Sequence, residues 1–368
     1  MKRLFPVLVA LAVPYFAQAE VTYEFVPNWL TPPPGKETIG NGHGEIGVDS
    51  TGKIYVSVDG QKEGGLQVYG KDGKFIEQLK TPDTLHGFTI RKEADGEFIY
   101  AAVLGQQRVI KLKLDGTQVM EIPKDSFPAD KARVVNIETK AGEGKPAEKI
   151  SGYVSAETPT SVTVTLADGK TQEVPKDQIA KKNENGLKLT SVAVAPNGDI
   201  YVADGYGADW IFLFDKTGKF KKVFGGRVAP YHLSNCHKIF IDPRFQPERL
   251  FVCDRGNNRI MHLSLDGDII GVIADKGLRR PSSVSFHGDL AAIAEIAGRV
   301  SVFDKEGKQV AELGLNTKGG ETNTPAVAPA NWREGIVTSP HGITFDADGN
   351  IMETEWNKYG RVLRWNQK

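Results

Sequence analysis

The sequence contains few cysteines, carries no net charge and lacks a long apolar segment. Its 46 basic and 46 acidic residues balance, so no overall field attracts the protein to nucleic acid or to an anionic membrane. The apolar run from Leu4 to Val13 is shorter than the roughly 18 to 20 residues that a membrane-spanning helix needs, and no later segment comes close. We therefore expect no nucleic acid partner and no membrane span.

The same apolar run has the plan of a secretory signal peptide. Lys2-Arg3 precedes it, and Ala17-Gln18-Ala19 follows it as a small-residue cleavage site. We expect residues 1–19 to be removed and the rest of the protein to be exported, to the periplasm or the extracellular space.

The two cysteines leave two interpretations open. Cys236 and Cys253 fall in the same repeat, near opposite ends of a predicted hairpin, and export would place them where a disulfide persists. Pairing is therefore geometrically possible, whereas the alternative is two small buried hydrophobic side chains.

Repeats of about 40 residues dominate the sequence and predict an all-β fold. Each unit has four short strands, and glycine supplies the positive φ of its two hairpin turns. The first turns occur at Thr51-Gly52, Asp95-Gly96, Asn197-Gly198, Gly288-Asp289 and Asp348-Gly349, and the second at Asp72-Gly73, Asp115-Gly116, Thr217-Gly218, Asp266-Gly267 and Glu306-Gly307. The sixth unit ends after its third strand, so the unclaimed segment Val21–Val26 is predicted to complete it. We predict a six-bladed β-propeller formed by residues 20–132 and 183–368.

One segment, residues 133–182, interrupts the repeats between the second and third units. It has alternating strands of its own, such as Ser161–Leu166, and a turn at Asp168-Gly169. Gly152–Glu157 and Ile179-Ala180 resemble the small SH3-like or Sm-like modules that accompany bacterial propellers. The sequence predicts a small inserted β-barrel, which offers a surface for a protein partner.

Three histidines occupy equivalent positions in alternate repeats. Alignment of the first strands places His86, His237 and His341 at one position in the second, fourth and sixth units. The same position holds Gly44, Thr190 and Ser282 in the other three units. These imidazoles are predicted to face the central channel about 120° apart, where three neutral rings with Zn–N distances of about 2.0 to 2.1 Å form a typical catalytic zinc site. The alternative is a structural role in packing. A further histidine, His43, lies one residue out of register.

Loops that follow the second strands are predicted to surround these histidines. Tyr206, in Asp204-Gly205-Tyr206-Gly207, is the candidate general acid or base, because a neighbouring cation can lower the pKa of a phenol; the alternative is an aromatic anchor of the loop. Arg255 could bind a substrate carboxylate in bidentate fashion or pair with a neighbouring acid. We expect a small-molecule or peptide substrate on this face.

Acidic residues recur at the ends of the second strands, and arginines recur at the starts of the third strands. The acids are Asp204, Asp254, Glu295 and Glu355, and the arginines are Arg108, Arg259, Arg299 and Arg361. Repetition in most units predicts structural salt bridges or loop clamps rather than catalysis.

The segments Ile200–Tyr206 and Val252–Ile260 resemble NHL repeats, and the resemblance covers most of the chain outside the leader and the insert. Within that class the chain is similar to peptidyl-α-hydroxyglycine α-amidating lyase, a six-bladed zinc propeller that splits a peptidyl-hydroxyglycine into a peptide amide and glyoxylate. The resemblance implies that His86, His237 and His341 bind zinc and that Tyr206 is the catalytic tyrosine.

Three positions depart from that family. Its substrate-binding arginine of the first blade aligns near Asp59, its methionine before the third histidine is Ser339, and its calcium ligand after that histidine is Gly342. The sequence therefore supports the metal site better than the amidating reaction, and it does not support a structural Ca²⁺. Two functions remain open: a zinc-dependent lyase or related enzyme, and a non-catalytic NHL propeller that binds a peptide, a glycan or a protein.

Overall fold

The computed structural model describes residues 21–60, 65–131, 133–142, 144, 146–166 and 168–368. The predicted signal peptide, residues 1–19, lies outside them. In the described part of the chain the regular structure is almost entirely antiparallel β-sheet, and no helix there is long and apolar enough to cross a membrane. Short 3₁₀ helices occur at Leu104–Gln106, Lys124–Ser126, Lys176–Gln178, Arg255–Asn257 and Pro329–Asn331.

The described strands form six four-stranded sheets, named I to VI, and one five-stranded sheet, named the insert sheet. The first strand is β1 (Tyr23–Phe25). Sheet I consists of β2 (Gly42–Val48), β3 (Ile54–Val58), β4 (Leu66–Tyr69) and β5 (Phe75–Leu79). Sheet II consists of β6 (Leu85–Glu93), β7 (Gly96–Val103), β8 (Arg108–Lys113) and β9 (Gln118–Ile122). The insert sheet consists of β10 (Val134–Thr139), β11 (Lys149–Glu157), β12 (Ser161–Thr165), β13 (Thr171–Pro175) and β14 (Ile179–Asn185).

The remaining sheets follow the insert. Sheet III consists of β15 (Ser191–Val194), β16 (Ile200–Ala203), β17 (Trp210–Phe214) and β18 (Phe220–Gly225). Sheet IV consists of β19 (Cys236–Asp242), β20 (Arg249–Asp254), β21 (Arg259–Ser264) and β22 (Ile269–Ala274). Sheet V consists of β23 (Pro281–His287), β24 (Leu290–Glu295), β25 (Arg299–Phe303) and β26 (Gln309–Leu313). Sheet VI consists of β27 (Pro340–Phe345), β28 (Ile351–Glu355) and β29 (Val362–Gln367), together with β1.

Strand β1 completes sheet VI from the other end of the described chain, as the sequence predicts. Tyr23 pairs antiparallel with Gln367, and Phe25 pairs with Trp365. Both aromatic side chains of β1 pack against the apolar core between sheets V and VI. The pairing covers the edge of β29, which would otherwise present unpaired N–H and C=O groups.

The first strands of the six sheets contact one another in a closed cycle. β2 contacts β6, β6 contacts β15, and the contacts continue through β19 and β23 to β27 and back to β2. Adjacent sheets pack face to face through apolar clusters, for example Tyr201, Ile239 and Leu263 between sheets III and IV. Residues at equivalent positions in the first strands therefore lie around a common axis.

An ion pair crosses the centre of this ring. Lys238 of sheet IV donates from Nζ to Oε2 of Glu45 in sheet I at 2.5 Å, and the two side chains are 3% and 6% exposed. Ser283 donates to the same oxygen at 2.8 Å, and the backbone N–H of Ile343 donates to Oε1 at 3.0 Å. One carboxylate thus joins sheets I, IV, V and VI beside the starts of their first strands.

Acid–arginine pairs hold the loops that lead into the first strands, which confirms their predicted structural role. The pairs are Arg259–Asp254 at 2.6 Å, Arg299–Glu295 at 2.9 Å and Arg361–Glu355 at 2.8 Å. Each acid also accepts a backbone N–H from the loop before its first strand, at Ser234, Arg279 and Thr338 respectively. Asp204 accepts the N–H of Lys188 in the same way, whereas Arg108 pairs with Glu121 instead.

The two cysteines are free thiols on opposite faces of sheet IV. Cys236 packs in the cluster between sheets III and IV, and Cys253 packs in the cluster between sheets IV and V. Burial raises the pKa of both thiols. The two cysteines are therefore small buried side chains and not a disulfide, because a disulfide requires the two Cβ atoms to face each other.

The insert sheet has its own core and is also anchored to the rest of the molecule. Its strand order is β13-β12-β11-β10-β14, and Val135, Val162 and Val164 are among its buried core residues. Tyr153 instead joins the core around sheets II and III, where its ring centroid lies 5.4 Å from that of Trp210.

Candidate metal centre

The three histidines predicted from the repeats lie close together in the channel. His86, His237 and His341 are each the second residue of a first strand, β6, β19 and β27 respectively. The ring centroids of His86 and His237 lie 5.0 Å apart, those of His86 and His341 5.0 Å, and those of His237 and His341 4.6 Å. All three side chains are buried.

Each of these rings is held by a backbone carbonyl of the next sheet. The acceptor is the residue that occupies the histidine position in that sheet, so the repeat itself provides the partner that sequence alone could not identify. The pairs are His86 Nδ1 to Thr190 O at 2.8 Å, His237 Nδ1 to Ser282 O at 2.6 Å and His341 Nδ1 to Gly44 O at 3.0 Å. A carbonyl only accepts hydrogen bonds, so the proton is on Nδ1 and the lone pair of the neutral ring is on Nε2.

Burial keeps the three imidazoles uncharged near neutral pH. It lowers the pKa of His86, His237 and His341 well below the ordinary value, and the neighbouring histidines and the Arg255 guanidinium add to the effect. Nε2 of His341 has no hydrogen-bond partner among the described residues. Such an unsatisfied buried acceptor destabilises a fold by about 1–3 kcal/mol, which indicates that a ligand belongs there.

A fourth histidine, His43 of β2, lies in the same cluster. Its ring centroid is 4.9 Å from that of His86 and 5.1 Å from that of His341, and the ligand nitrogens of these three residues all lie within 4.8 Å of one another. Its Nδ1 is 3.2 Å from Oδ2 of Asp59. Alignment of the repeats did not select His43, because it precedes the equivalent position by one residue.

The residue after each second strand is another source of side chains for the site. Asp59, Arg255 and Trp356 follow β3, β20 and β28. Asp59 hydrogen-bonds to His43, and the Trp356 ring centroid lies 5.9 Å from that of His43. Comparison of this position among the repeats would have found the partner of His43.

Tyr206 lies over the histidines. Its hydroxyl oxygen is 3.0 Å from Nε2 of His237, 3.2 Å from Nε2 of His86 and 3.4 Å from Nε2 of His43. Burial raises the pKa of Tyr206, while the positive charge of Arg255 acts in the opposite direction. The phenol therefore keeps its proton at neutral pH, and any lowering of its pKa would have to come from a bound cation.

Arg255 is buried beside Tyr206. Its Nε donates to Oδ1 of Asn235 at 2.5 Å, and its guanidinium carbon lies 5.3 Å from the Tyr206 ring centroid. Nη1 has no hydrogen-bond partner of good geometry among the described residues. A second guanidinium, that of Arg280, also lowers the pKa of Tyr206. These two guanidinium groups could attract an anionic ligand, although the Asp59 carboxylate acts against them.

A bound metal ion would satisfy the lone pairs of this cluster better than the available hydrogen-bond donors do. Nε2 atoms of His86, His237 and His341 present lone pairs to the centre, whereas the Tyr206 hydroxyl supplies one hydrogen. Neutral imidazole nitrogen is a common ligand of Zn²⁺, and a ligating ring almost always donates its other N–H to a carbonyl or carboxylate. The described residues could therefore hold a metal ion.

No protein-family model and no curated protein matches the sequence. Among solved structures, virginiamycin B lyase from Staphylococcus aureus is similar to this chain with a TM-score of 0.51 at 16% identity, over 94% of this chain and 99% of that chain. A streptogramin B lyase structure has a TM-score of 0.51 at 16% identity, over 96% and 100%. A catalytically inactive histidine-to-alanine variant of the staphylococcal lyase, with quinupristin, has a TM-score of 0.52 at 14% identity, over 94% and 99%.

The fold is a β-propeller. The predicted fold class is confirmed at that level by the strand arrangement and by these propeller lyases. Identities of 14–16% establish the shared fold alone, so the NHL type and the relation to the amidating lyase stay predictions.

Proposed function

We propose that the protein is an exported, metal-dependent lyase in which His86, His237 and His341 hold a divalent cation, with Zn²⁺ the expected metal. The observation that carries the proposal is the convergence of three buried, neutral imidazoles whose Nδ1–H groups are fixed by carbonyls. A bound cation would supply Lewis-acid stabilisation of negative charge on a substrate oxygen. The likeness to propeller lyases, one of them inactive as a histidine-to-alanine variant, supports this class of reaction.

The proposed reaction is cleavage of the C–N bond in a peptidyl-hydroxyglycine. The substrate hydroxyl loses its proton, the carbonyl of glyoxylate forms as the C–N bond breaks, and the departing amide nitrogen gains a proton, so no further reactant is needed. Tyr206, whose hydroxyl lies beside His86 and His237, would carry that proton. Arg255, whose guanidinium lies beside Tyr206, would bind the carboxylate that ends in glyoxylate.

The proposal extends to the architecture and the location of the protein. The six four-stranded sheets would be six blades of the NHL type, and the insert sheet would be a small SH3-like or Sm-like barrel with a surface for a protein partner. Residues 1–19 would direct export to the periplasm or the extracellular space. N-terminal sequencing of the exported protein tests the expected cleavage after Ala19.

Metal analysis of purified protein tests the site. We expect about one ion per chain in the wild type, full retention in His287→Ala and much weaker retention in His237→Ala, which loses one channel ligand. His287 is a suitable control because its ring packs on Phe345, outside the cluster. A wild type without stoichiometric metal would favour the non-catalytic propeller that binds a peptide, a glycan or a protein.

Release of glyoxylate from a hydroxyglycine peptide tests the reaction. We expect Tyr206→Phe to lower kcat by about 10²- to 10⁴-fold, the usual contribution of a positioned proton carrier, with unchanged metal content. A metal-loaded wild type that releases no glyoxylate would exclude this substrate class and leave the metal site standing.

A further inference from the structure

We propose that His43 is a fourth nitrogen ligand of this metal site, with Asp59 as the residue that orients it. The inference rests on the proposed metal site and deepens it, because it adds a fourth imidazole to the three; a substrate oxygen would then bind as a fifth ligand, a coordination number that catalytic Zn²⁺ can reach.

The first argument is distance. The ligand nitrogens of His43, His86 and His341 all lie within 4.8 Å of one another, whereas nitrogens that share a tetrahedral Zn²⁺ lie roughly 3.3 Å apart, given Zn–N bonds of about 2.0 to 2.1 Å. The His43 side chain is 23% exposed, so it has more room to adjust than the fully buried channel histidines. Binding of an ion would have to draw the rings closer together, and His43 has the most freedom to move.

The second argument is the group bound to the other ring nitrogen. Nδ1 of His43 lies 3.2 Å from the Asp59 carboxylate, and the three channel histidines donate Nδ1–H to carbonyls. All four rings therefore have the partner that metal-ligating histidines almost always have. The Asp59 charge also offsets part of the charge of a dication that is otherwise surrounded by neutral imidazoles, next to the cationic Arg255.

The third argument is that the cluster contains more Nε2 lone pairs than hydrogen-bond donors. In its neutral form His43 presents an Nε2 lone pair to the Tyr206 hydroxyl at 3.4 Å, but the same hydroxyl is closer to His237 and His86. One O–H group can donate well to only one of these acceptors. Without an ion, the Nε2 atoms of the cluster compete for one hydroxyl hydrogen, whereas a shared cation satisfies them together.

Binding of Zn²⁺ or Co²⁺ alone to the metal-free full-length protein tests the proposal. We expect His43→Ala to weaken Zn²⁺ binding by at least 10-fold in a chelator competition and to change the visible absorption of bound Co²⁺. Asp59→Asn should weaken Zn²⁺ binding by about 10- to 100-fold, as loss of a ligand-orienting partner does, while it retains the Co²⁺ spectrum. His287→Ala, the matched removal of a histidine outside the cluster, should match the wild type in both measurements.

X-ray absorption at the zinc edge of the wild type counts the imidazoles directly and depends on no variant. Four imidazoles support the proposal, and this count decides the matter if His43→Ala fails to fold. Three imidazoles, with an unchanged Zn²⁺ affinity in His43→Ala, overturn the fourth ligand and leave the three-histidine site in place. A wild type that binds neither metal removes both proposals.

Discussion

A histidine side chain becomes a good metal ligand through the group that binds its second nitrogen. In this ring that group is a main-chain carbonyl at the same position of the next sheet, and these positions carry the small residues Gly44, Thr190 and Ser282. Alternation of histidine with a small residue thus leaves each carbonyl accessible to the ring beside it. The arrangement uses no extra side chain, because the repeat generates the acceptor for every ligand.

Gly44→Ala tests this reasoning at a position that admits no Cβ. An added Cβ would clash with the Ser57 side chain and lie 3.0 Å from the carbonyl oxygen of Leu85. We expect the Gly44 carbonyl to shift away from His341, with Zn²⁺ affinity lower by about 10-fold and the free energy of unfolding lower by about 1–3 kcal/mol. Chelator competition and urea unfolding measure these effects. Gly271→Ala is the control, because nothing lies within 4 Å of its Cβ position; equal behaviour of the two variants would contradict the argument.

A pH dependence is expected from Asp204, whose carboxyl is buried at the end of β16. Burial raises its pKa from an ordinary value of 3.8 to about 7. Between these values the folded protein holds the proton more tightly than the unfolded chain, so this contribution to stability is complete below about pH 4 and is lost as the pH rises through 7. The wild type should lose stability relative to Asp204→Asn over that window in urea unfolding. A stability difference that stays constant from pH 4 to pH 8 would contradict the raised pKa.

At the scale of the element, the local sequence predicts where hairpin turns and strand ends fall. It does not predict which residues of different sheets form hydrogen bonds with one another. Every predicted hairpin turn lies at the junction of two consecutive strands, because a tight turn requires a positive φ that the sequence marks with glycine, as at Gly52 with φ +86°. The insert sheet extends to Asn185, beyond the predicted end at 182. The carbonyl acceptors are main-chain groups that leave no mark in the local sequence, and His43 stands one residue out of register, so alignment of the first strands selected neither.

Strand β1 has a role that can be measured by removing it. A chain that starts at Pro27 lacks the pairs of Tyr23 and Phe25 with β29 and the apolar contacts of both rings. We expect a loss of roughly 3 kcal/mol or more in the free energy of unfolding, since burial of one large side chain contributes about 1.5–3 kcal/mol, together with aggregation through the exposed edge. Urea unfolding and light scattering check this against a chain that starts at Glu20. Equal stability and solubility would show that the closing strand is dispensable.

At the scale of the whole molecule, the repeats predict the ring of sheets. The ion pair at its centre, however, has no counterpart at the equivalent positions of the other sheets. Glu45 and Lys238 come from sheets on different sides of the axis, and each follows the histidine position of its own strand. Equivalent positions elsewhere carry Gly87, Ser191, Ser283 and Gly342. A unique charged pair in the channel cannot be inferred from the period, because periodicity describes what the units share.

This pair should matter far more to stability than a surface pair of the same composition. Lys238→Met would leave the Glu45 carboxylate buried opposite an apolar group, and removal of one partner of a buried ion pair lowers stability by about 3–5 kcal/mol. Lys74→Met is the matched control, because the Lys74 and Asp72 side chains are 76% and 54% exposed and such pairs contribute about 0–1 kcal/mol. Adding Glu45→Gln to Lys238→Met should restore part of the loss, because no uncompensated charge then remains in the channel. Urea unfolding of the wild type, Lys238→Met, Glu45→Gln and the double variant measures the coupling, and equally small losses for Lys238→Met and Lys74→Met would mean that sheet packing alone closes the ring.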